Sequence, residues 1–158
     1  MPLPVALDRT DVRLVRLLQK NARLPNKELA DAVGVAPSTA LERVRRLRAA
    51  RVVRGFHADV APEAVGVGLE ALVAVRLGRH SRAEVEAFLA HLRTRPEVVA
   101  FFHLAGADDV HVHIGVRDAA HLREVAMTTF TERPEVAHIQ TSLIYSTHRT
   151  DTPPLYVD

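Results

Sequence analysis

The chain has 158 residues, of which 47% are hydrophobic, and it contains no cysteine, so disulfides, thiolate nucleophiles and cysteine zinc sites are excluded. Its net charge of +2 conceals an asymmetry: residues 1–56 hold 12 Lys and Arg against 5 Asp and Glu, a net +7, whereas residues 57–158 hold 9 against 14, a net −5, and all nine histidines. The split predicts two small modules, of which the basic one is a candidate polyanion binder. No apolar run reaches about 18 residues and the N-terminus lacks a signal pattern, so we expect a cytoplasmic protein with no membrane partner.

The first two predicted helices are short and close together in the sequence. LDRTDVRLVRLLQKN (7–21) has apolar residues at helical spacing, and Asp8 or Thr10 is suited to cap its start. NKELADAV (26–33) follows as a second helix with Asn26 as its predicted N-cap. Gly34 then supplies the positive φ that a tight turn after a helix favours.

A third helix is predicted to begin at Pro37, a residue that suits the first turn of a helix. Its buried arc is predicted to contain Ala40, Leu41, Val44 and Leu47. Its opposite face is predicted to contain Ser38, Thr39, Glu42 and Arg46, with Arg43 and Arg45 on the flanks. The helix is therefore amphipathic, with an exposed face that is small and polar at its start and basic further on.

Together these helices match the helix-turn-helix layout, in which the second helix of the pair enters the major groove of DNA. Arginine pairs with guanine or clamps phosphates, and Glu42 is suited to accept from cytosine or to orient a neighbouring arginine. RVVRGFHADV (51–60) alternates enough to predict a strand or wing, from which Arg51 and Arg54 reach phosphates. The alternative is an ordinary solvated helix surface, which the trihelical arrangement, the glycine turn and the local charge disfavour.

The second module alternates strands and helices in the order βαββαβ. The strands are predicted over 68–78, 96–105, 110–116 and 134–146, and the helices over 81–95 and 118–133. Ser81 and Glu84 form a predicted capping box, and GADD (106–109) is the turn of a hairpin. The two helix-to-strand corners carry the same sequence, Arg-Pro-Glu-Val, at 95–98 and 133–136.

This order is the ferredoxin-like plan, whose sheet has helices on one face only. Apolar residues on both faces of the strands indicate that the other face is covered, so we predict a homodimer made through this module. A dimer also presents two reading helices to two half-sites of DNA. We divide the chain into a helix-turn-helix domain over 1–56, a linker over 57–66, a ferredoxin-like domain over 67–148 and a tail over 149–158.

Several stretches carry a family resemblance. They are Leu7-Asp8 with Asp11, LLQKNAR (17–23), the run from ELADAVGVAP to APEAVG (28–66), the turn Gly106-Ala107-Asp108-Asp109 and Thr141 in the last strand. Over residues 7–148 the chain resembles the Lrp/AsnC, or feast/famine, transcriptional regulators. The resemblance implies a winged helix-turn-helix domain joined to a sensing domain, in a dimer that assembles further, often into an octamer.

The resemblance also implies an effector, commonly an amino acid, held between the sensing domains of neighbouring dimers. By position it places Gly106, Asp108 and Asp109 near the ligand, together with Thr141. A carboxylate can hold an α-ammonium group, and a glycine amide can approach a carboxylate. Where the family often has an aromatic residue, this chain has Asp108, which favours a more cationic effector.

A second departure is Ala36, which stands where the family usually has a serine cap. Thr39 with Glu42 offers an alternative cap that would shorten the third helix. The predicted function is therefore a sequence-specific, DNA-binding transcriptional regulator that responds to an amino acid or a related small metabolite.

Histidines supply the rival interpretations. His111 and His113 share one face of a strand, with His103 on its partner and two aspartates nearby, a spacing that can bind a metal. Solvated or subunit-facing histidines explain the same pattern, and we predict no metal and no cofactor. Some haem-biosynthesis decarboxylases resemble this two-module architecture and use histidines on a tetrapyrrole. That enzyme remains the alternative to the regulator, although a DNA-compatible third helix favours a protein that is not an enzyme.

Overall fold

The computed structural model describes residues 6–78 and 81–148, together with Pro153 and Tyr156. The chain divides into two compact units. The first comprises Met1–Ala58 with His148–Asp158, and the second comprises Asp59–Thr147. The boundary falls inside the predicted linker, in which Pro62–Val65 forms a single 3-10 turn. Among the described residues, no helix has the length and apolar character needed to cross a membrane.

The first unit contains three helices: α1 (Arg9–Lys20), α2 (Asn26–Val33) and α3 (Pro37–Ala49). Their apolar faces meet in one core formed by Leu14, Val15, Leu18, Leu29, Val33 and Leu47. Asp8 is the N-cap of α1, as the sequence predicts, and it forms a capping box with Asp11. Such a cap contributes about 1 kcal/mol to the stability of a helix.

The turn between α2 and α3 is made by Gly34, whose φ of 73° confirms the predicted left-handed conformation. The predicted N-cap of α2 is wrong, because Pro25 occupies that position and its carbonyl accepts from the Leu29 N–H at 3.0 Å. Asn26 is instead the first helical residue, and its side-chain amide donates to the Pro37 carbonyl at 2.7 Å. Asn26 therefore ties the start of α2 to the start of α3.

Helix α3 begins at Pro37 with Ala36 as its N-cap, and no side chain caps it. The predicted Thr39–Glu42 cap is therefore wrong, and the helix is not shortened. Ala40 and Leu47 are fully buried, as predicted. Leu41 is 39% exposed, which contradicts its predicted place in the core, because it lies at the edge of the narrow arc that faces α1 and α2.

The strand predicted over 51–60 is absent: this segment is a turn at Arg51–Val53 followed by irregular backbone. The N–H groups of Val52 and Val53 both donate to the Leu47 carbonyl, at 2.9 and 3.2 Å, and their side chains pack on the helical core. Their backbone is thus committed to closing α3. The apolar alternation reflects burial against the helices rather than strand pairing, and in this structure the wing contains no strand.

The second unit has the predicted βαββαβ order. Its elements are β1 (Leu69–Leu77), α4 (Arg82–Leu92), β2 (Val98–His103), β3 (Val110–Val116), α5 (Ala119–Val125) with a π-helical extension (Ala126–Thr131), and β4 (Val136–Leu143). All neighbouring strands are antiparallel, in the order β2-β3-β1-β4. Beyond the last β1–β4 pair, the Ile144 N–H donates to the Glu70 carbonyl at 2.9 Å. The unit therefore has the predicted ferredoxin-like topology.

The helices pack on one face of this sheet. Alternate residues of β1 and β3 are buried there against Phe88 and Leu92 of α4 and Val125 and Phe130 of the last helix. Ser81 caps α4 by accepting from the Glu84 N–H at 3.3 Å, as predicted. The repeated Arg-Pro-Glu-Val corners also coincide, because a Val N–H donates to the Arg carbonyl three residues earlier at both 95–98 and 133–136.

None of the described helices of this unit packs on the other face of the sheet. That face, which we call the open sheet face, carries Glu70, Leu72, Ala74 and Arg76 of β1, Ala100 and Phe102 of β2, His111 and His113 of β3, and His138, Gln140 and Ser142 of β4. It mixes apolar and charged side chains, and Phe102 is 58% exposed on it.

Candidate nucleic-acid and effector sites

The predicted DNA-contacting side chains of α3 share one face but differ in their surroundings. Ser38, Glu42 and Arg45 are exposed, and Thr39 is half-buried. Within the described residues, no ion pair or side-chain hydrogen bond holds Arg45. The start of α3 is thus an accessible face that combines small hydroxyls, a carboxylate and an exposed guanidinium.

Arg43 and Arg46 lie on the same helix but reach back to the first turn of α1. Arg43 Nη1 donates to Asp8 Oδ2 at 2.6 Å and to Asp11 Oδ1 at 2.9 Å. Arg46 Nη2 donates to Asp11 Oδ2 at 2.5 Å. These four residues form what we call the α1–α3 charge cluster.

Arg43 and Arg46 differ in how far their side chains are exposed to solvent. The Asp11 side chain is fully buried, Arg43 is 26% exposed and Arg46 is 49% exposed. The Asp11 backbone N–H and the Arg43 guanidinium hold the pKa of Asp8 below its usual value, and the hydrogen bonds to Asp8 and Asp11 raise the pKa of Arg43. Arg43 is therefore mainly a brace between two helices, whereas half of Arg46 faces outward.

Sequence reasoning assigned Arg43 to DNA contact and missed its partnership with Asp11. A signal for it was present: two acids in the first turn of α1 and two arginines one turn apart on α3. Residues three apart share a helix face, so each pair presents one charge surface. Which helix faces which is set by the tertiary fold, and spacing along one helix does not contain that information.

Two further basic residues follow α3. Arg51 is exposed and has a φ of 57°, the only positive φ of a non-glycine residue in the described part of the chain. Its N–H donates to the Arg48 carbonyl at 3.0 Å, and the next N–H, of Val52, reaches Leu47, which is the Schellman pattern of a helix end. Arg54 is exposed, and Arg48 lies over the Phe56 ring at 5.7 Å. The basic surface thus continues past the end of α3.

In the second unit, the turn between β2 and β3 is anchored to the end of β1. The Asp109 carboxylate accepts from the Leu77 N–H at 2.8 Å, and the Asp109 N–H donates to the Val75 carbonyl at 2.9 Å. Gly106 is exposed, and a methyl group built on it would meet no atom within 4 Å. The predicted effector turn is therefore held at its base and open at its tip.

Asp108 has two basic neighbours on this turn. Its carboxylate lies 3.8 Å from the Arg76 guanidinium and 3.4 Å from His111 Nε2. Arg76 also donates to the Ala107 carbonyl at 3.2 Å while its side chain remains about half exposed. The sequence did not single out Arg76, because it is one polar position in an alternating strand. The fold places the Arg76 guanidinium beside the Asp108 carboxylate.

Thr141 does not join this group within one chain. It lies on β4 opposite Val73, and β4 is separated from β3 by β1. Two strand spacings amount to about 10 Å. A cavity of about 490 Å³ is separate from the turn as well, because its walls are Gly78, Glu84, Ala87, Arg133, Pro134 and Glu135.

The histidines of β3 have individual acidic partners rather than a shared centre. His113 Nε2 lies 2.8 Å from Glu70 Oε1, and His111 pairs with Asp108. His103 is opposite Val110, so alternation places it on the helix side of the sheet, away from both. Over residues 6–78 and 81–148, no three metal-binding side chains come together.

Two family models match the chain. The AsnC-type helix-turn-helix domain matches residues 7–48, and the Lrp/AsnC ligand binding domain matches residues 70–154. The first match contains the whole of α1–α3 except the last residue of α3, and the second contains the turn described above and the whole sheet except the first residue of β1.

Individual proteins match over most of the chain. The HTH-type transcriptional regulator AldR of Mycolicibacterium smegmatis is 44% identical over 147 residues, which are 93% of this chain and 86% of that protein. The crystal structure of MtbAldR superposes with a TM-score of 0.78 at 36% identity, covering 94% of this chain and 100% of that one. A transcriptional regulator of Neisseria meningitidis in complex with L-Met gives a TM-score of 0.83 at 33% identity, covering 94% and 97%.

These similarities favour one of the two functions considered from the sequence. The AldR and Neisseria proteins are named as transcriptional regulators, and none of the three supports the tetrapyrrole decarboxylase. The matched models and relatives span both units. The chain therefore belongs to the Lrp/AsnC family of transcriptional regulators, with an AsnC-type helix-turn-helix domain followed by an Lrp/AsnC ligand binding domain.

Proposed function

We propose that this chain binds a specific duplex DNA sequence through α3 and changes that binding when a small amino-acid-like metabolite occupies the β2–β3 turn. The observation that carries the first part is the exposed face of α3, with Ser38, Glu42 and Arg45 behind a glycine turn. A helix placed in this way enters the major groove with its N-terminal residues at the base edges. No chemical step is involved.

The basic residues divide into two roles. Arg45 and Arg46 lie on the reading helix and have the reach to meet guanine or phosphate, while Ser38 and Thr39 allow close approach. Arg51 and Arg54 lie beyond the helix end, and we assign them to the phosphate backbone. Arg43 supports the surface from behind, because two carboxylates of α1 already engage it.

For the effector we propose a zwitterion. Asp108 is suited to an ammonium group and Arg76 to a carboxylate, and the Gly106 amide lies at the open tip of the same turn. Asp109 holds the turn in place and adds negative charge, and Thr141 is supplied by a neighbouring copy. The Neisseria relative was crystallised with L-Met, an amino acid that carries both of these charged groups.

The proposal includes a homodimer that assembles further, in line with the octamers of the family. Phe102 and the small apolar residues of β1 and β2 on the open sheet face support it, since an exposed apolar surface of this kind favours a protein partner. A second copy presents the same face and completes a pair of reading helices for a two-fold DNA site.

In vitro selection from a random duplex pool tests the DNA part. We expect the protein to enrich one sequence and to bind it far more tightly than a scrambled duplex, with an affinity for both that falls as salt rises. Arg46→Ala should reduce the difference in binding free energy between the enriched and the scrambled duplex by about 1–3 kcal/mol. A pool that stays random after selection would refute sequence-specific binding.

Thermal shift measurements with the twenty amino acids test the effector part, because a ligand of the folded state raises Tm by mass action. Arg76→Gln should remove the shift produced by the best amino acid. Arg82→Gln is the matched control, since Arg82 is an exposed arginine of the same unit whose single ion-pair partner among the described residues is Glu86 on its own helix. If no amino acid raises Tm, or if both variants keep the shift, the zwitterion site is wrong.

A further inference from the structure

The α1–α3 charge cluster places a buried carboxylate directly behind the reading helix. Asp11 belongs to α1, yet its two oxygens accept from Arg43 and Arg46 of α3 and also from the Asp8 backbone N–H at 3.2 Å. Three donors thus converge on one fully buried side chain. A carboxylate so held has a fixed position, and it fixes whatever binds to it.

The two arginines respond differently to this anchor. Arg43 has a second carboxylate, Asp8, and is mostly buried, so it is committed to the fold. Arg46 has Asp11 as its single partner among the described residues, and about half of its side chain remains exposed. A guanidinium has five N–H donors in a planar fork, so the contact with Asp11 leaves others free to face outward.

We propose that Asp11 is a positioning residue for DNA recognition: it holds the Arg46 guanidinium in the orientation that reads a base, although Asp11 never touches DNA. This inference rests on the proposed function of α3. A free arginine must lose rotamer freedom when it binds, and a guanidinium already fixed by a second-layer carboxylate loses less of it. The bidentate geometry that distinguishes guanine is then available before DNA arrives.

The same contact has an electrostatic cost. Asp11 neutralises part of the charge that Arg46 would otherwise direct at phosphates, and phosphate attraction dominates non-specific binding. Asp11 therefore lowers the affinity for DNA of any sequence and increases the difference in affinity between the specific and the scrambled duplex. A purely structural acid would not do this, because its loss would weaken binding to every DNA sequence alike.

The experiment compares Asp11→Asn with the wild type, using the full-length protein, the duplex enriched by the wild type and a scrambled duplex. We expect the ratio of the two affinities to fall roughly tenfold, the scale of one bidentate base contact, while the scrambled duplex binds equally or more tightly. Val15→Ala is the matched control, because it weakens the same helical core without changing any charge. Its ratio should stay at the wild-type value.

A double-mutant cycle with Arg46→Ala shows whether Asp11 acts through Arg46. If it does, Asp11→Asn reduces discrimination no further once Arg46 is alanine. Should circular dichroism show that Asp11→Asn is unfolded, Asp11→Glu replaces it. That variant keeps the charge but displaces the guanidinium, so discrimination should fall without tighter binding to the scrambled duplex.

The outcomes separate the inference from the function on which it rests. A wild type that enriches no sequence overturns the proposed function and the inference with it. If the wild type discriminates and Asp11→Asn leaves the ratio of the two affinities unchanged, the inference alone is overturned. An equal loss of affinity for both duplexes is such a case. Additive effects of Asp11→Asn and Arg46→Ala on discrimination overturn it as well.

Discussion

Asp109 and Leu77 are joined by a 2.8 Å hydrogen bond, in which the Leu77 backbone N–H donates to the Asp109 carboxylate. A residue proposed to face the effector thus also closes the end of β1. The two roles predict different consequences for two substitutions at one position, because asparagine keeps an acceptor oxygen and loses the charge, whereas alanine loses both.

Asp109→Ala should lower the free energy of unfolding by about 1–3 kcal/mol, because the half-buried Leu77 N–H loses its acceptor. Asp109→Asn should lower the free energy of unfolding by less than Asp109→Ala does. It should nevertheless abolish the Tm increase produced by the amino acid that stabilises the wild type most. Urea unfolding and thermal shift measure the two effects on the same samples. An Asn variant that keeps the full ligand shift would remove the Asp109 charge from the effector site.

Arg43 and Arg45 are close in sequence on α3, but they should contribute to different properties. Arg43→Ala leaves the buried Asp11 with one partner fewer and should lower the free energy of unfolding by about 1–3 kcal/mol, a value that allows for the partial exposure of the guanidinium. Arg45→Ala should change it by less than about 0.5 kcal/mol and weaken DNA binding instead. Equal losses of stability would show that the α1–α3 charge cluster does not brace the helices.

Arg51 occupies a left-handed conformation that glycine adopts without strain. Arg51→Gly should therefore raise the free energy of unfolding by about 0.5–1 kcal/mol, while removing a positive charge from the surface proposed to face DNA. Gly34→Ala is the control of opposite sign: with φ at 73° and no atom within 4 Å of a built methyl group, it should cost about 1 kcal/mol through the backbone alone. Chemical denaturation of the two variants checks both signs.

His91 should make the second unit sensitive to mild acid. Burial lowers the pKa of His91, and the positive charges of Arg133 and Arg95 add to this, against the hydrogen bond to the Thr129 carbonyl and the charge of Glu135. The unfolded chain, with an ordinary value near 6.5, therefore takes up this proton first as the pH falls. Stability should decrease on acidification from about pH 7 through 6.5, and the loss should level off below the folded pKa.

Urea unfolding between about pH 7.5 and 5 measures this effect. His91→Gln should flatten the pH dependence, because glutamine takes up no proton and can still donate to the Thr129 carbonyl. His138→Gln is the control, since His138 is an exposed histidine on β4. An unchanged slope in His91→Gln would assign the acid sensitivity to another group.

Phe102 is the most direct probe of the proposed dimer. Phe102→Glu places a charge on the β2 edge strand of the open sheet face and should convert the assembly to monomers without unfolding them. Light scattering coupled to size exclusion reads the mass, and circular dichroism reads the fold. Val65→Glu, at an exposed apolar residue of the connector, should leave the mass unchanged. A dimeric Phe102→Glu variant would place the interface elsewhere.

The strand and helix order of the second unit could be read from the sequence, because its elements differ in period. β3 alternates apolar and small or polar residues and β1 is a short apolar run between two glycines, while α4 repeats its apolar residues every three or four positions. The change of α5 into a π-helix at Ala126 was not predicted, since the apolar spacing continues across it. In the π-helical extension Phe130 packs against Phe88 in the core, with ring centroids 6.5 Å apart.

The candidate sites were predictable as surfaces but not as contacts. Helical periodicity placed Ser38, Glu42 and Arg46 on one exposed face, with Arg45 on its flank, because that arrangement is local to α3. The contacts of Arg43 and Arg76 could not be predicted for a common reason: each residue has a partner far away in the sequence, Asp11 at 32 residues and Asp108 on the adjoining turn. A periodicity argument contains no information on such pairs.

The hydrogen bond between Ile144 and Glu70 has a consequence for protein engineering. It joins the start of β1 to the end of β4 at the same end of the sheet, so the first and last strands of the βαββαβ unit begin and finish close together. A module with adjoining ends can be grafted between two residues of a host loop, or reconnected in circular permutation, with a linker of only a few residues. We therefore expect the second unit to tolerate transfer into a host loop as one module.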